Sequence, residues 1–242
     1  MMPESELLIG IDDAGRGPVM GPMVLAGVLI RKEQEQKLRD IGAKDSKLLT
    51  SQKREQILSE IKKTVLDSSF KIISPNDIDT GFGEGLNLNQ VEALAAGSII
   101  NDLTQKLSVE QRKSVKIILD CPSINTNGWK AQLLNYVKEK SLNISCEHKA
   151  DFYHVVVSSA SILAKVTRDA EIEKIKTHLA MDFGSGYPSD PNTKNLLEKN
   201  VNNPKLKGIF RESWSTYKQA KLESQKPCIS KKKSSQKGIS DF

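Results

Sequence analysis

Residues 9–18 read IGIDDAGRGP. An apolar run from Leu7 to Ile11 ends on two adjacent carboxylates, Asp12 and Asp13, and glycines at 15 and 17 then bracket Arg16. A short apolar run closed by Gly and Pro reads as a buried strand. A second run, Met23 to Ile30 (MVLAGVLI), follows after GRGPVMGP, so the two form strands joined by a Gly/Pro-rich connection. A lone Asp at a strand end is ordinarily a turn or helix-capping residue. Two together, where the chain leaves a sheet, call for another explanation, because ligands of α/β proteins bind beyond strand ends.

Working outward, Thr50-Ser51 opens a helix carrying Ile57, Ile61 and Val65 at helical spacing, and residues 88–107 (LNLNQVEALAAGSIINDLTQ) form a more buried one. Residues 115–119 (VKIIL) are a strand ending on Asp120, broken by Cys121-Pro122. A helix over 129–140 and a strand over 142–146 come next, followed by a helix over 155–176 whose start is apolar and whose end is charged. GSGYPSDP at 184–191 is a loop, and further helices are expected at about 191–201 and 210–223. Strand and helix alternation after a strand pair predicts an α/β fold with a mixed sheet and a helical C-terminal portion. No internal repeat is visible.

The 242 residues suit one domain with a small appendage, residues 1–225 and 226–242. From Lys218 onward seven lysines face only Glu223 and Asp241, which supplies five of the six net positive charges. The body is therefore nearly neutral. Beyond Lys226 the composition turns to Lys, Ser and Gln, which predicts disorder. No apolar run approaches membrane-spanning length, and MMPESELLIG lacks the basic start of a secretory signal. The expectation is a cytoplasmic protein, or a nuclear one in a eukaryote. Cys121, Cys146 and Cys228 form no C-x-x-C pair, and His148, His154 and His178 show no zinc-ligand spacing. Reduced thiols, no structural zinc and no His-based triad are expected.

Asp12-Asp13, Asp120 and Asp151 each fall where a strand ends or a helix begins. Gathered at one edge they would repel, and would share protons or hold cations. With no His or Cys cluster, Mg²⁺ or Mn²⁺ suits such oxygen donors. Two such ions side by side are a standard device for displacement at a phosphodiester. Residue chemistry alone thus raises a metal-dependent nuclease beside a purely structural role for each acid.

Five ordered motifs resemble the type 2 ribonucleases H, the family of ribonuclease HII and of the catalytic subunit of eukaryotic ribonuclease H2. They are IDDAGRGPVMGPMVLA, KDSKLLT at 44–50, ILDCPSIN at 118–125, HKADFYHVVVSSASILAKVTRD at 148–169 and GSGYPSDP. The resemblance spans roughly residues 7–220, and the archaeal branch is the most similar. It implies a ribonuclease H-like fold and a four-carboxylate site on Asp12, Asp13, Asp120 and Asp151 holding two Mg²⁺ or Mn²⁺ ions. It also implies hydrolysis of RNA paired with DNA and cleavage 5′ of a ribonucleotide embedded in DNA, leaving 3′-hydroxyl and 5′-phosphate ends. A monomer is expected.

The chain departs from the family at Asp13, where Glu is usual. The acid is shorter by one carbon–carbon bond, roughly 1.5 Å, which puts metal preference and rate in question. Gly15-Arg16-Gly17 resembles the loop that recognises the ribose 2′-hydroxyl, and glycine suits a close backbone approach to a sugar. Tyr187 matches a tyrosine that packs on the sugar of the following deoxynucleotide. Lys47, and Lys165 or Arg168, are candidate phosphate contacts, whereas Ser158 and Ser161 read as helix-packing residues.

The last residues, QKGISDF, resemble a sliding-clamp (PCNA) interacting peptide through Gln236, Ile239 and Phe242, a helix-in-groove mode with Lys231–Lys233 adding charge. Two rival readings stay open: a general metal-dependent nuclease of the same fold acting on DNA, and a catalytically impaired hybrid-binding subunit.

Overall fold

The computed structural model describes residues 6–43 and 49–226. Lys47, Cys228 and the tail residues Gln236, Ile239 and Phe242 lie outside the described residues. Five strands form one sheet: β1 (Leu7–Ala14), β2 (Met23–Arg31), β3 (Asp67–Ile73), β4 (Lys116–Asp120) and β5 (Asn143–Glu147), in the order β3-β2-β1-β4-β5. β1 pairs antiparallel with β2, and β2 with β3, while β1–β4 and β4–β5 are parallel. The sheet is mixed, as the sequence predicts.

The helices are α1 (Glu35–Asp40), α2 (Ser51–Thr64), α3 (Pro75–Gly83), α4 (Leu88–Thr104), α5 (Val109–Ser114), α6 (Thr126–Tyr136), α7 (Ala150–Tyr153), α8 (Val155–Leu179), α9 (Pro191–Asn200) and α10 (Ser215–Ser224). The Thr50 hydroxyl caps α2 as expected by accepting from the Lys53 amide, so Val65 falls just past its end. α6 starts earlier than the predicted 129–140, because Asn125 caps it by accepting from the Gly128 amide, and it stops earlier, at Tyr136, because Val137 is extended. The expected helix over 210–223 begins only at Ser215; residues before it bridge back to Met20 through Phe210. β3 carries no clean apolar alternation and sits at the sheet edge, half exposed, which is why its sequence hides it.

The pleat of β1 sends successive side chains to opposite faces. Ile9 and Ile11 join the apolar layer under α4 and α6, with Ile99, Leu103, Trp129 and Leu133. Leu8 and Ala14 join the layer under α8 and α2, with Val156, Ala160, Ile57 and Ile61. α8 lies so close to β1 that a Cβ on Gly10 would stand 2.4 Å from the Val156 carbonyl carbon. Only glycine permits that approach. A third apolar cluster joins Val19 and Met20 to Phe183, Leu197, Phe210 and Tyr217, so the C-terminal helices are fastened to the β1–β2 connection.

Candidate active site

Parallel pairing brings the first acids together. The β1–β4 register sets Ile11 beside Leu119, so Asp12 and Asp120 lie next to each other at one edge of the sheet. Asp151 arrives from the first turn of α7, and the Ala150 amide donates to Asp120 Oδ1 at 2.8 Å. Lys149, in the left-handed conformation, turns the chain sharply into α7 at this point. Asp12, Asp13, Asp120 and Asp151 line a single cleft of about 380 Å³ with Gly15, Arg16, Gly17, Arg54, Ser161, Lys165 and Tyr187.

The pleat also resolves the pairing of two acids side by side. Asp12 faces α8, where Ser161 hydrogen-bonds it, and its Oδ1 accepts from the Asp13 amide at 2.7 Å. Asp13 lies toward α4, near Glu92. Asp12 is only 7% exposed, and burial, reinforced by the charges of Asp13 and Asp120, pushes its carboxyl well above the ordinary range. Among the described residues no three Asp, Glu, His or Cys side chains are drawn into a closed metal shell of their own.

The segment from Gly15 to Pro22 is held from three directions. Arg16 turns its guanidinium to α4, where it pairs with Glu92 and donates to Asn89 Oδ1 at 2.8 Å. From the C-terminal side, Arg211 donates to the carbonyls of Gly15 (2.7 Å), Arg16 (2.9 Å) and Gly21 (3.1 Å). Arg168 of α8 donates to Pro22 O and Ser185 O, both at 3.2 Å, and its guanidinium carbon lies 5.5 Å from the centre of the Tyr187 ring. The expectation of Arg168 as a phosphate contact is therefore corrected: it is 2% exposed and its donors serve the main chain. Gly15 has φ +86°, and a Cβ there would sit 2.2 Å from Arg168 Nε, so glycine is required on both counts. The Tyr187 ring edges over Gly17, 3.6 Å from where its Cβ would be; the residue is 37% exposed and lines the cleft.

Four residues of this neighbourhood escape the reading of the sequence. Ser161, expected only to pack α8, bonds Asp12 and lines the cleft. Arg54 lines it from α2, donating to Leu49 O at 2.6 Å and to Asp169 Oδ2 at 3.2 Å. Glu92 is 1% exposed; burial and the Asp13 charge outweigh the Arg16 pairing and push its carboxyl up to about 7. Its Oε1 and the Trp129 indole nitrogen are buried without hydrogen-bond partners, and both residues border a small void behind Asp13 and Asp120. Arg211 is the fourth. Arg54, Glu92 and Arg168 share one signal: a charge placed on the apolar stripe of its helix, in phase with Ile57 and Ile61, with Ala95 and Ile99, and with Ala164 and Ile172.

A mixed five-stranded sheet with acids gathered where parallel β1 and β4 end, and a glycine loop closing the same cleft, defines a nuclease of the ribonuclease H type. The crystal structure of the ribonuclease H2 from Pyrococcus horikoshii matches with a TM-score of 0.78 at 35% identity, covering 91% of this chain and 99% of that one. The ribonuclease HII in the PCNA:RNase HII complex from Archaeoglobus fulgidus matches with a TM-score of 0.74 at 33% identity, covering 86% and 95%. A Ribonuclease HII of Methanococcus maripaludis is 42% identical over 218 residues, 88% of this chain and 86% of the relative. Residues 9–217 match the family model Ribonuclease HII, and the chain belongs to the ribonuclease HII family. It is a ribonuclease H enzyme. No helix of the described residues is long and apolar enough to cross a membrane.

Proposed function

We propose that the chain cleaves the RNA strand of RNA–DNA hybrids and cuts on the 5′ side of single ribonucleotides in a DNA duplex, leaving 3′-hydroxyl and 5′-phosphate ends. The observation that carries the reading is the shared cleft, lined by the four carboxylates together with Gly15, Arg16, Gly17 and Tyr187.

The donor set fits a divalent cation. It is all oxygen and it gathers like charge around a buried Asp12, a repulsion that a cation would relieve. Carboxylate oxygens, with water and substrate phosphate completing the shell, would suit Mg²⁺ or Mn²⁺. Asp12, Asp13, Asp120 and Asp151 would hold the two ions, which when bound supply a nucleophilic water and charge neutralisation at the phosphate. Ser161 and the Asp13 amide hold Asp12 in place, and the Ala150 amide fixes Asp120. The Gly15–Gly17 main chain reads the ribose 2′-oxygen, and the Tyr187 face packs on the next sugar, where a 2′-hydroxyl would clash. Lys165 of α8, paired to Asp169 at 3.0 Å, borders the cleft as a phosphate contact, and Lys47 is proposed for the same task.

The test is a duplex holding one ribonucleotide beside its all-DNA counterpart, each with Mg²⁺, Mn²⁺ or EDTA. Cleavage is expected only of the ribonucleotide duplex and only with metal. Cutting of both duplexes would make the chain a general nuclease, and tight binding without cleavage would make it an inert hybrid binder.

A second proposal concerns the tail and a protein partner. Gln236, Ile239 and Phe242 would dock on a sliding clamp, as the spacing suggests and as a clamp complex of the related Archaeoglobus fulgidus protein encourages. A peptide of residues 228–242 should bind the cognate clamp in calorimetry, and Phe242→Ala should abolish capture of the full chain; no heat, with capture intact, would end the idea.

A further inference from the structure

Arg211 is a cation at 0% exposure whose three hydrogen bonds all end on main-chain carbonyls. Burial and the nearby positive Arg168 push it down to about 9, so it remains charged at neutral pH. Burying a cation on neutral partners is unfavourable unless the fork does something a neutral donor cannot. Two of its targets are consecutive, Gly15 O and Arg16 O. A trans peptide is planar and points its N–H opposite to its C=O. Turning these two carbonyls inward to Arg211 therefore turns the amides of Arg16 and Gly17 the other way. Residue 17 is exposed and lines the cleft, and neither amide donates a hydrogen bond within the described residues.

We propose that Arg211 is the positioning residue that sets the Gly15–Gly17 loop for reading the sugar, by aiming the Arg16 and Gly17 amides into the cleft. The inference rests on the loop being the sugar reader, as argued above. It also assigns a task to the C-terminal portion. Arg211 sits between the Met20–Phe210 bridge and α10, its amide donates to Val19 O at 2.9 Å, and its guanidinium carbon lies 4.9 Å from the centre of the Trp214 ring. The α9–α10 region thus reaches the cleavage site without contributing a side chain to it. Lysine cannot substitute, since a compact ammonium on a flexible stem lacks the rigid fork that serves three diverging carbonyls.

The experiment compares the full-length enzyme with Arg211→Lys on two duplexes, one holding a single ribonucleotide and one with a 2′-deoxy-2′-fluoro nucleotide at that position. Mn²⁺ affinity and thermal stability are measured alongside. The ratio of kcat/KM between the duplexes is expected to fall at least tenfold in Arg211→Lys, through kcat more than KM, with Mn²⁺ affinity within twofold of the parent. A lower melting temperature with an unchanged ratio would reduce Arg211 to a structural brace and overturn the proposal. A parent enzyme that cuts both duplexes equally would instead overturn the reading of the loop itself. Should Arg211→Lys fail to fold, Trp214→Leu removes the ring beside the guanidinium and leaves its three donors. A fall of about threefold in the ratio is then expected, and no change counts against the proposal.

Discussion

Within eleven residues, from Asp12 to Pro22, the chain passes from acids clustered around a buried Asp12 to carbonyls that hold two buried arginines, Arg168 and Arg211, and the two ends handle like charge in opposite ways. Arg168 and Arg211 repel each other but are capped by five main-chain carbonyls, those of Pro22, Ser185, Gly15, Arg16 and Gly21. Asp12 receives the Asp13 amide and Ser161, yet its carboxyl still stands well above the ordinary range beside Asp13 and Asp120. The arginine end is framework, its guanidinium donors met by main-chain carbonyls. The acidic end keeps an electrostatic tension that a divalent cation would relieve, and that difference separates scaffold from proposed site.

Neutralising an acid should expose the contrast most strongly. Asp12→Asn is expected to lower turnover by on the order of 10³-fold while raising the melting temperature of the EDTA-treated protein. The sign follows from the raised carboxyl: the folded state favours the neutral form, so the charge lowers stability as pH climbs above the unfolded value. The rise should be about 2–4 °C for each kcal/mol relieved. A fall in melting temperature would break the comparison.

The scaffold end should respond the other way. Gly15→Ala meets both the positive φ and the Arg168 side chain, and should destabilise by about 1–3 kcal/mol or more. Chemical denaturation would measure it, and Mn²⁺ affinity should be retained, because the acids are positioned by β1, β4 and α7 independently.

Glu92 touches both ends and gives a subtler test. Its carboxyl is raised from 4.5 to about 7, so the wild type should lose stability as pH rises from about 4.5 to 7. Glu92→Gln removes that titration. Relative to wild type it should gain on going from pH 5 to pH 8, by at most about 3 kcal/mol and less in practice as the Arg16 pair relaxes. Parallel stability–pH curves for the two proteins would remove Glu92 from the account. The smallest effect is expected at Asp13. Asp13→Glu should change the Mn²⁺-to-Mg²⁺ activity ratio only a few-fold, and equal ratios would show that the shorter acid is tolerated without consequence.

How much of this was legible in advance varies with how local the signal is. Asp12, Asp13, Asp120 and Asp151 were readable because each ends an apolar run or opens a helix, and because their motifs resemble a family. The mixed sheet followed from strand and helix alternation. β3 was not legible, being a half-exposed edge strand without a two-residue period, and the helix over 210–223 was misplaced because Phe210 is drawn into a bridge with Met20.

Arg54, Glu92, Arg168 and Arg211 teach the sharper lesson. Three of them are charges on apolar helix stripes, a visible anomaly, yet the partners that explain them lie up to 196 residues away, as between Arg211 and the Gly15 carbonyl. The apolar strands, the acids at their ends and the glycines that let the loop turn follow from the residues alone, because these depend on nearest neighbours and backbone freedom. Only the tertiary structure decided that Asp12 and Asp13 face different helices and that a buried guanidinium aims the loop. Such arrangements depend on which strands pair in parallel and on which distant carbonyls a fixed fork can reach, and neither is written in local spacing.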